Sequence, residues 1–371
     1  MLLINTLHLE ENMVLAQDIL NPNGAVLLGE GALLTPSRIR RIQEMGVQHV
    51  YVEDSRFPDI SSNWVIREEI YRKSMKELDT LFGTIADDAK EYVLLADMRE
   101  IHGIFRHILS DIFSLSGKTL VHFINSRSVQ NNLFEHSVHV ALLSLVMGKR
   151  FNLAYMQMYN LGLGALLHDI GKAVLPREIL DSNHRLVPEE EELYRMHPRT
   201  GWELLSGQEC IWPTARIIAL QHHELWDGSG YPSNLSRHNI HLFSHIVCIA
   251  NTYDNMIHSS REWPNPCLPN HAYEHIEKNR GILYDPQMVS VFSRSVAKYP
   301  VGTWLRLSTG HTGMVISVDE YTGLPKIRCF SHLNFGTLKN SVEIDLRETP
   351  VEIMEVFLEE PESEMQRNER E

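Results

Sequence analysis

YNLGLGALLHDIGK, residues 159–172, spaces its apolar residues mostly as a helix does and runs into a His-Asp pair, His168 and Asp169. The pair is therefore expected on a helix, with Lys172 near the same face as Asp169. An imidazole nitrogen beside a carboxylate suits a divalent transition metal. Carboxylate oxygens can bridge two ions, which makes Asp169 the natural shared ligand. Lys172 can set a positive charge beside a substrate phosphate or a leaving oxygen. Taken alone the pair is a weak signal, because a salt-bridged helix end uses the same letters.

Its surroundings strengthen it. His136 lies upstream in FEHSVHVALL, His197 downstream in MHPRTGWELL, and His222 and His223 open HHELWDGSGYP (222–232). All are in helical contexts that can converge in one bundle, where metal sites are commonly built from facing helices. His139, one helical turn from His136, reads as a neighbour and not as a ligand. His8, His49, His238, His241, His245 and His275 have no such companions and read as structural or exposed.

Composition narrows the function classes. The 371 residues are 43% hydrophobic and 22% charged, which suits two or three globular domains with sizeable cores. A net charge of −14 argues against a broad DNA- or RNA-binding face, since phosphate backbones demand clustered Lys and Arg. A small anion held by metals or a few local cations is still allowed. The opening MLLINTLHLEEN lacks the pattern of a signal peptide. No apolar run approaches the roughly 20 residues of a membrane span, so no membrane association is expected. Cys210, Cys248, Cys267 and Cys329 are far apart without a C-x-x-C, which argues against a disulfide framework or a zinc ribbon. The expected compartment is the cytoplasm. No flavin, nicotinamide or serine-nucleophile chemistry is indicated.

Five segments follow from the patterning. Residues 1–56 read as a small α+β regulatory module: strand-like runs in 24–34, a helix capped by Thr35 with Pro36 at its first position and Gly46 as its stop, then a strand over 47–52. Residues 57–118 read as a helical linker and 119–299 as a helical domain. Residues 300–358 alternate apolar and polar residues between Gly-rich turns, which predicts a small antiparallel sheet. The charged end, 359–371, is expected to be a disordered tail.

The blocks LLHDIGK, MHPRTGWELL and HHELWDGSGYP, with the spacing of His136, His168-Asp169, His197 and His222-His223, resemble the HD-GYP family. These are metal-dependent HD hydrolases that degrade cyclic di-GMP. The likeness runs from about residue 125 to 300, and the flanking units look like modules attached to many bacterial members. It implies a mainly α fold: a helical-bundle HD-type domain between a small α+β N-terminal module and a small β C-terminal extension. It implies a centre of two divalent transition-metal ions, with Asp169 bridging and His136, His168, His197, His222 and His223 as further ligands. His-rich ligation favours iron or manganese over calcium or magnesium. Paired metals lower the pKa of a bound water and clamp the phosphoryl oxygens of an in-line displacement. The implied reaction is hydrolysis of cyclic di-GMP to pGpG, with GMP as a further product, in bacterial signalling. Signalling proteins docking on the N-terminal module or the GYP loop, and a homodimer, are the further partners to expect.

Gly228, Gly230 and Pro232 allow a tight loop beside that centre, which Glu224 and Asp227 would fix through caps or contacts to ligands. Tyr231 either stacks on the substrate or packs the loop. Three positions depart from the family. Some members carry a Glu four residues before the first histidine, supporting a third metal; here Asn132 stands there, so two are expected. Asn251, in IANTYDNM, replaces an Asp ligand, and Asp254 three residues later is a partial substitute. A basic signature has become REWP, in which Arg261 can still meet a phosphate but Pro264 cannot replace the lost cation. Two rival readings stay open: a degenerate module that binds cyclic di-GMP or a partner without turnover, and an HD hydrolase of another nucleotide.

Overall fold

The computed structural model describes residues 1–20, 25–45, 47, 49–60, 65–115 apart from 88–96, 120, 133–180, 186–258, 260–261, 263–333 and 336–361. Gly46 as helix stop, Asn132 as the substitute for a glutamate, and positions 362–371 of the tail lie outside them. The first unit contains strand β1 (Leu2–Asn5), the short pair β2 (Ile19–Leu20) and β3 (Val26–Leu28), helix α1 (Pro36–Glu44) and strand β4 (His49–Val52). β1 pairs antiparallel with β4, Leu2 opposite Val52, and β2 pairs with β3. Helix α1 begins as its letters predict, with Pro36 in the first turn and the Thr35 hydroxyl accepting from the Arg38 N–H at 3.4 Å.

Among the described residues eleven further α-helices follow: α2 (Glu68–Asp87), α3 (Asp97–Ser114), α4 (Leu133–Arg150), α5 (Tyr155–Leu166), α6 (Arg177–Leu180), α7 (Pro188–Tyr194), α8 (His197–Ser206), α9 (Pro213–Gln221), α10 (Leu242–His258), α11 (Pro269–Lys278) and α12 (Pro286–Ser293). Helix α4 is buried continuously from His136 to Gly148, which only a helix enclosed on every side can be. It is the spine of one core that takes Leu78 and Leu81 from α2, Phe105 and Ile108 from α3, Leu161 from α5, Ile218 from α9, Ile249 and Tyr253 from α10, and Phe292 from α12. Among the described residues, no helix is long and apolar enough to cross a membrane.

The chain then returns to strands: β5 (Trp304–Leu307), β6 (His311–Val318), β7 (Pro325–His332), β8 (Gly336–Asp345) and β9 (Ile353–Phe357). They form one antiparallel sheet in the order β8-β7-β6-β5-β9. Alternation along the strands gives the sheet two apolar faces. Leu305, Val315, Ile327 and Cys329 face one small core. Trp304 and Met314 face the other way, into a core made with Leu2, Leu15, Ile42, Val50 and Phe57 of the first unit. The first and last units of the chain thus share a core. Arg56 reinforces the seam: its guanidinium lies over the rings of Phe57, Trp304 and Phe330, 5.2–5.9 Å from their centroids, and pairs with Asp54 and Glu360 at 2.7 Å. Arg328 of β7 binds Asp59 at 2.7 Å across the same seam.

Candidate metal centre

The His168-Asp169 pair stands in the turn between α5 and a 3-10 helix (Ile170–Val174), not within a helix as the apolar spacing predicts. α5 ends at Leu166, and the tighter 3-10 turn puts residues three apart on one line, so Lys172 Nζ meets Asp169 Oδ2 at 2.6 Å. The turn presses closely on α8. A Cβ at Gly171 would overlap the His197 carbonyl oxygen and lie 2.6 Å from the Gly201 nitrogen. Glycine at 171 is what lets His197 come so near.

Three helix ends deliver the remaining groups. His197 opens α8, His222 caps the end of α9, His223 follows it, and His136 projects from the first turn of α4. His168, His197 and His222 each direct Nδ1 at the carbonyl three residues earlier: Ala165 O at 2.7 Å, Tyr194 O at 2.7 Å and Ala219 O at 2.9 Å. A carbonyl can only accept, so the proton of each neutral ring sits on Nδ1 and Nε2 keeps a lone pair. His136 does the same with a carboxylate, Nδ1 donating to Asp254 Oδ2 at 2.7 Å.

All four Nε2 atoms converge on the Asp169 carboxylate. His168 and His136 lie 3.4 and 3.6 Å from Oδ2, and His197 and His222 lie 3.3 and 3.6 Å from Oδ1. His136 and His168 approach each other at 3.3 Å, as do His197 and His222. Lone pairs thus face lone pairs in a buried place, and Asp169 Oδ1 is buried with no hydrogen-bond partner. Such an arrangement fits cations better than protons. Bonds of about 2.0–2.1 Å in tetrahedral array separate ligand atoms by about 3.4 Å, close to what is seen. The donors fall into two groups that share Asp169: His136, His168 and Asp169, and Asp169, His197, His222 and His223.

Electrostatics keep these groups ready for a metal. Burial opposes the Asp169 charge, but the Lys172 ammonium beside it holds its carboxyl well below the usual range. Burial works against the Lys172 charge, and Asp169 outweighs it, raising the lysine above its ordinary value. Burial pushes His136 and His197 down, His222 to about 3, and His223 well below the ordinary histidine range. Neutral imidazoles are the form that ligates metals.

The loop 222–236 folds over the second group. Buried Glu224 accepts from the Ser233 N–H at 2.7 Å and the Leu235 N–H at 2.9 Å, and Asp227 Oδ1 accepts from the Ser229 N–H at 2.9 Å. Gly228 has φ +86°, and a Cβ at Gly230 would overlap His223 and Leu225 backbone atoms. Pro232 follows Tyr231 through a cis peptide bond. Tyr231 stacks on His223, ring centroids 4.4 Å apart, with Arg195 5.2 Å from its centroid.

Three candidates stand differently from the expectations drawn for them. Asp254 does not reach towards Asp169 as a substitute ligand; it holds the outer nitrogen of His136. Asn251, buried one turn earlier on α10, accepts the Asn255 amide on Oδ1 at 2.9 Å. Arg261 donates to the Ile179 carbonyl at 2.5 Å and lies 5.3 Å from the Tyr194 ring centroid. Tyr194 went unnoticed in the sequence. Its carbonyl orients His197, and Lys172 Nζ lies 5.4 Å from its ring centroid. The signal that would have found it is its place three residues before a candidate ligand, His197.

Residues 119–288 match the family model of the HD domain. Over this stretch the chain is similar to cyclic di-GMP phosphodiesterases. It is 30% identical over 212 residues to a cyclic di-GMP phosphodiesterase of Pseudomonas aeruginosa, covering 57% of this chain and 51% of that one. A cyclic di-GMP phosphodiesterase of Thermotoga maritima is 36% identical over 42% of this chain and 43% of its own. A cyclic di-GMP phosphodiesterase response regulator of Xanthomonas campestris is 33% identical over 56% of this chain and 52% of its own. The chain spans about half the length of these relatives or less. The stretch matched by the HD-domain model holds every histidine of the two donor groups.

Proposed function

We propose that the chain is a metal-dependent phosphodiesterase that hydrolyses cyclic di-GMP to pGpG or GMP, with residues 119–299 as its catalytic unit. The observation that carries the reading is the pair of donor groups joined at Asp169. His136 and His168 would hold one divalent ion, His197, His222 and His223 the other, and Asp169 both; iron and manganese suit such donors. Bound there, paired ions supply a nucleophile at neutral pH and neutralise the phosphodiester. The protein's part is orientation. Backbone carbonyls and Asp254 fix the ligand rings, and Lys172 adds a cation that can pass from Asp169 to a phosphate oxygen. Tyr231, stacked on His223, and Arg261 border the substrate in this reading. Anaerobically purified protein should contain iron or manganese and turn over cyclic di-GMP. Asp169→Ala, alone or with His168→Ala, should lose the ions held at Asp169 together with turnover. Full activity in the double variant would end the proposal.

Asn251 favours a second reading, a binding module without turnover. Its neutral amide oxygen is a poorer ligand than a carboxylate and already accepts from Asn255. If the native chain binds cyclic di-GMP without hydrolysing it and Asn251→Asp restores turnover, this second reading replaces the first.

A further inference from the structure

A separate gathering of donors lies on the Nδ1 side of the His136 ring, opposite Asp169. His139 stands one turn beyond His136 on α4, and Asp254 and His258 stand one turn apart on α10. His139 Nδ1 and His258 Nδ1 lie 3.1 and 2.9 Å from Asp254 Oδ1, and the three donor atoms are all within 4.8 Å of one another. The side chains of His139, Asp254 and His258 are 1%, 1% and 4% exposed, so water is a minor solvent for the carboxylate charge.

The protons can be followed from Tyr71. Its hydroxyl donates to Glu135 Oε1 at 3.1 Å and lies 3.1 Å from His139 Nε2. With its one proton given to Glu135, the Tyr71 oxygen acts as acceptor towards His139 and the ring proton is on Nε2. His139 Nδ1 then turns a lone pair to Asp254 Oδ1. The other oxygen of Asp254 is occupied by His136 Nδ1 at 2.7 Å. In that arrangement a second proton or a cation lies between His139 and Asp254. Metal bonds of about 2.1 Å at right angles hold two ligand atoms about 3.0 Å apart, which both observed separations match.

We propose that His139 Nδ1, His258 Nδ1 and Asp254 Oδ1 form a further site for a divalent transition-metal ion, distinct from the two donor groups that meet at Asp169. Two nitrogens and one carboxylate oxygen suit zinc, iron, manganese or cobalt over magnesium or calcium. The site does not use position 132, and it stands whether or not the chain hydrolyses a phosphodiester. Because Asp254 also holds His136, an ion here would stiffen the outer support of a ligand in the neighbouring group.

The test is cobalt titration of the chelator-stripped full chain, with ions counted by elemental analysis and folding followed by circular dichroism. The native chain should saturate at three ions, and His139→Gln and His258→Gln at two each. Asp169→Ala should keep one ion, which adding His258→Gln removes. Saturation of the native chain at two ions overturns the proposal. So does an unchanged count in a folded His258→Gln variant. Should both glutamine variants fail to fold, the native count and the ion retained by Asp169→Ala still decide. Cyclic di-GMP turnover is read separately: three bound ions without hydrolysis refute the phosphodiesterase reading alone, and two ions with hydrolysis refute this site alone.

Discussion

Lys172 shows how much one side chain can be asked to do. Its ammonium neutralises Asp169 at 2.6 Å while that carboxylate is also the shared donor of two groups. Removing it leaves Asp169 a stronger donor to metal but deprives a phosphate of its cation. Lys172→Ala should therefore keep its metal and lose about 10²–10³ in turnover, the usual worth of such a contact. Elemental analysis beside single-turnover kinetics separates the two, and parallel loss of metal and activity would make the lysine structural. Acid should act through the histidines. His136, His197, His222 and His223 are depressed by burial, so the unfolded chain takes up their protons first. Their contribution to stability is whole above about pH 6.5 and is lost as the pH falls from there towards the folded values, about 3 for His222. Asp169, also depressed, acts with the same sign at lower pH. The melting temperature of metal-free protein should fall between pH 7.5 and 5, and a flat profile would mean these rings are not buried neutral. The clustered histidines were legible in the sequence because their neighbours form distinctive local blocks. Asp254 and His258 were not legible as partners of His136 and His139, since 118 residues separate His136 from Asp254 and only the crossing of α4 with α10 joins them.

Among the elements, the contact of the 3-10 turn with α8 is the tightest constraint on the centre. Gly171→Ala should push α8 and His197 away from Asp169, with the cost of about 1–3 kcal/mol typical of overpacking. It should lower melting temperature and metal content together, although residue 171 donates nothing to a metal. An unchanged metal content would show that α8 tolerates the shift. Helices α4 and α5 were readable from apolar spacing, and the terminal sheet from its alternation and glycine turns. The end of α5 was not, because a helix and the 3-10 turn that follows it share nearly one spacing over a few residues. That difference moves the His-Asp pair out of the helix and aims Lys172 at its partner.

At the scale of the whole molecule, the shared core of the first and last units is the feature no local pattern could reveal, since burial against a remote segment leaves no period in the sequence. Trp304 is its largest side chain, edge-on to Phe57 at 6.1 Å. Trp304→Ala should cost about 3–5 kcal/mol. The loss should appear in the first unit as well as in the sheet, as faster hydrogen exchange in β1 and β4. Exchange confined to β5 and its neighbours would mean the first unit stands alone. The same core sets a timetable for synthesis. Roughly 250 residues separate Phe57 from Trp304, and at about 5–20 residues per second the ribosome needs roughly 12–50 s to cross them. Throughout that interval Leu2, Leu15, Ile42, Val50 and Phe57 wait for strands not yet made. The beginning of this chain is the last part able to finish folding, and a chaperone that shelters nascent apolar surface has its longest task there.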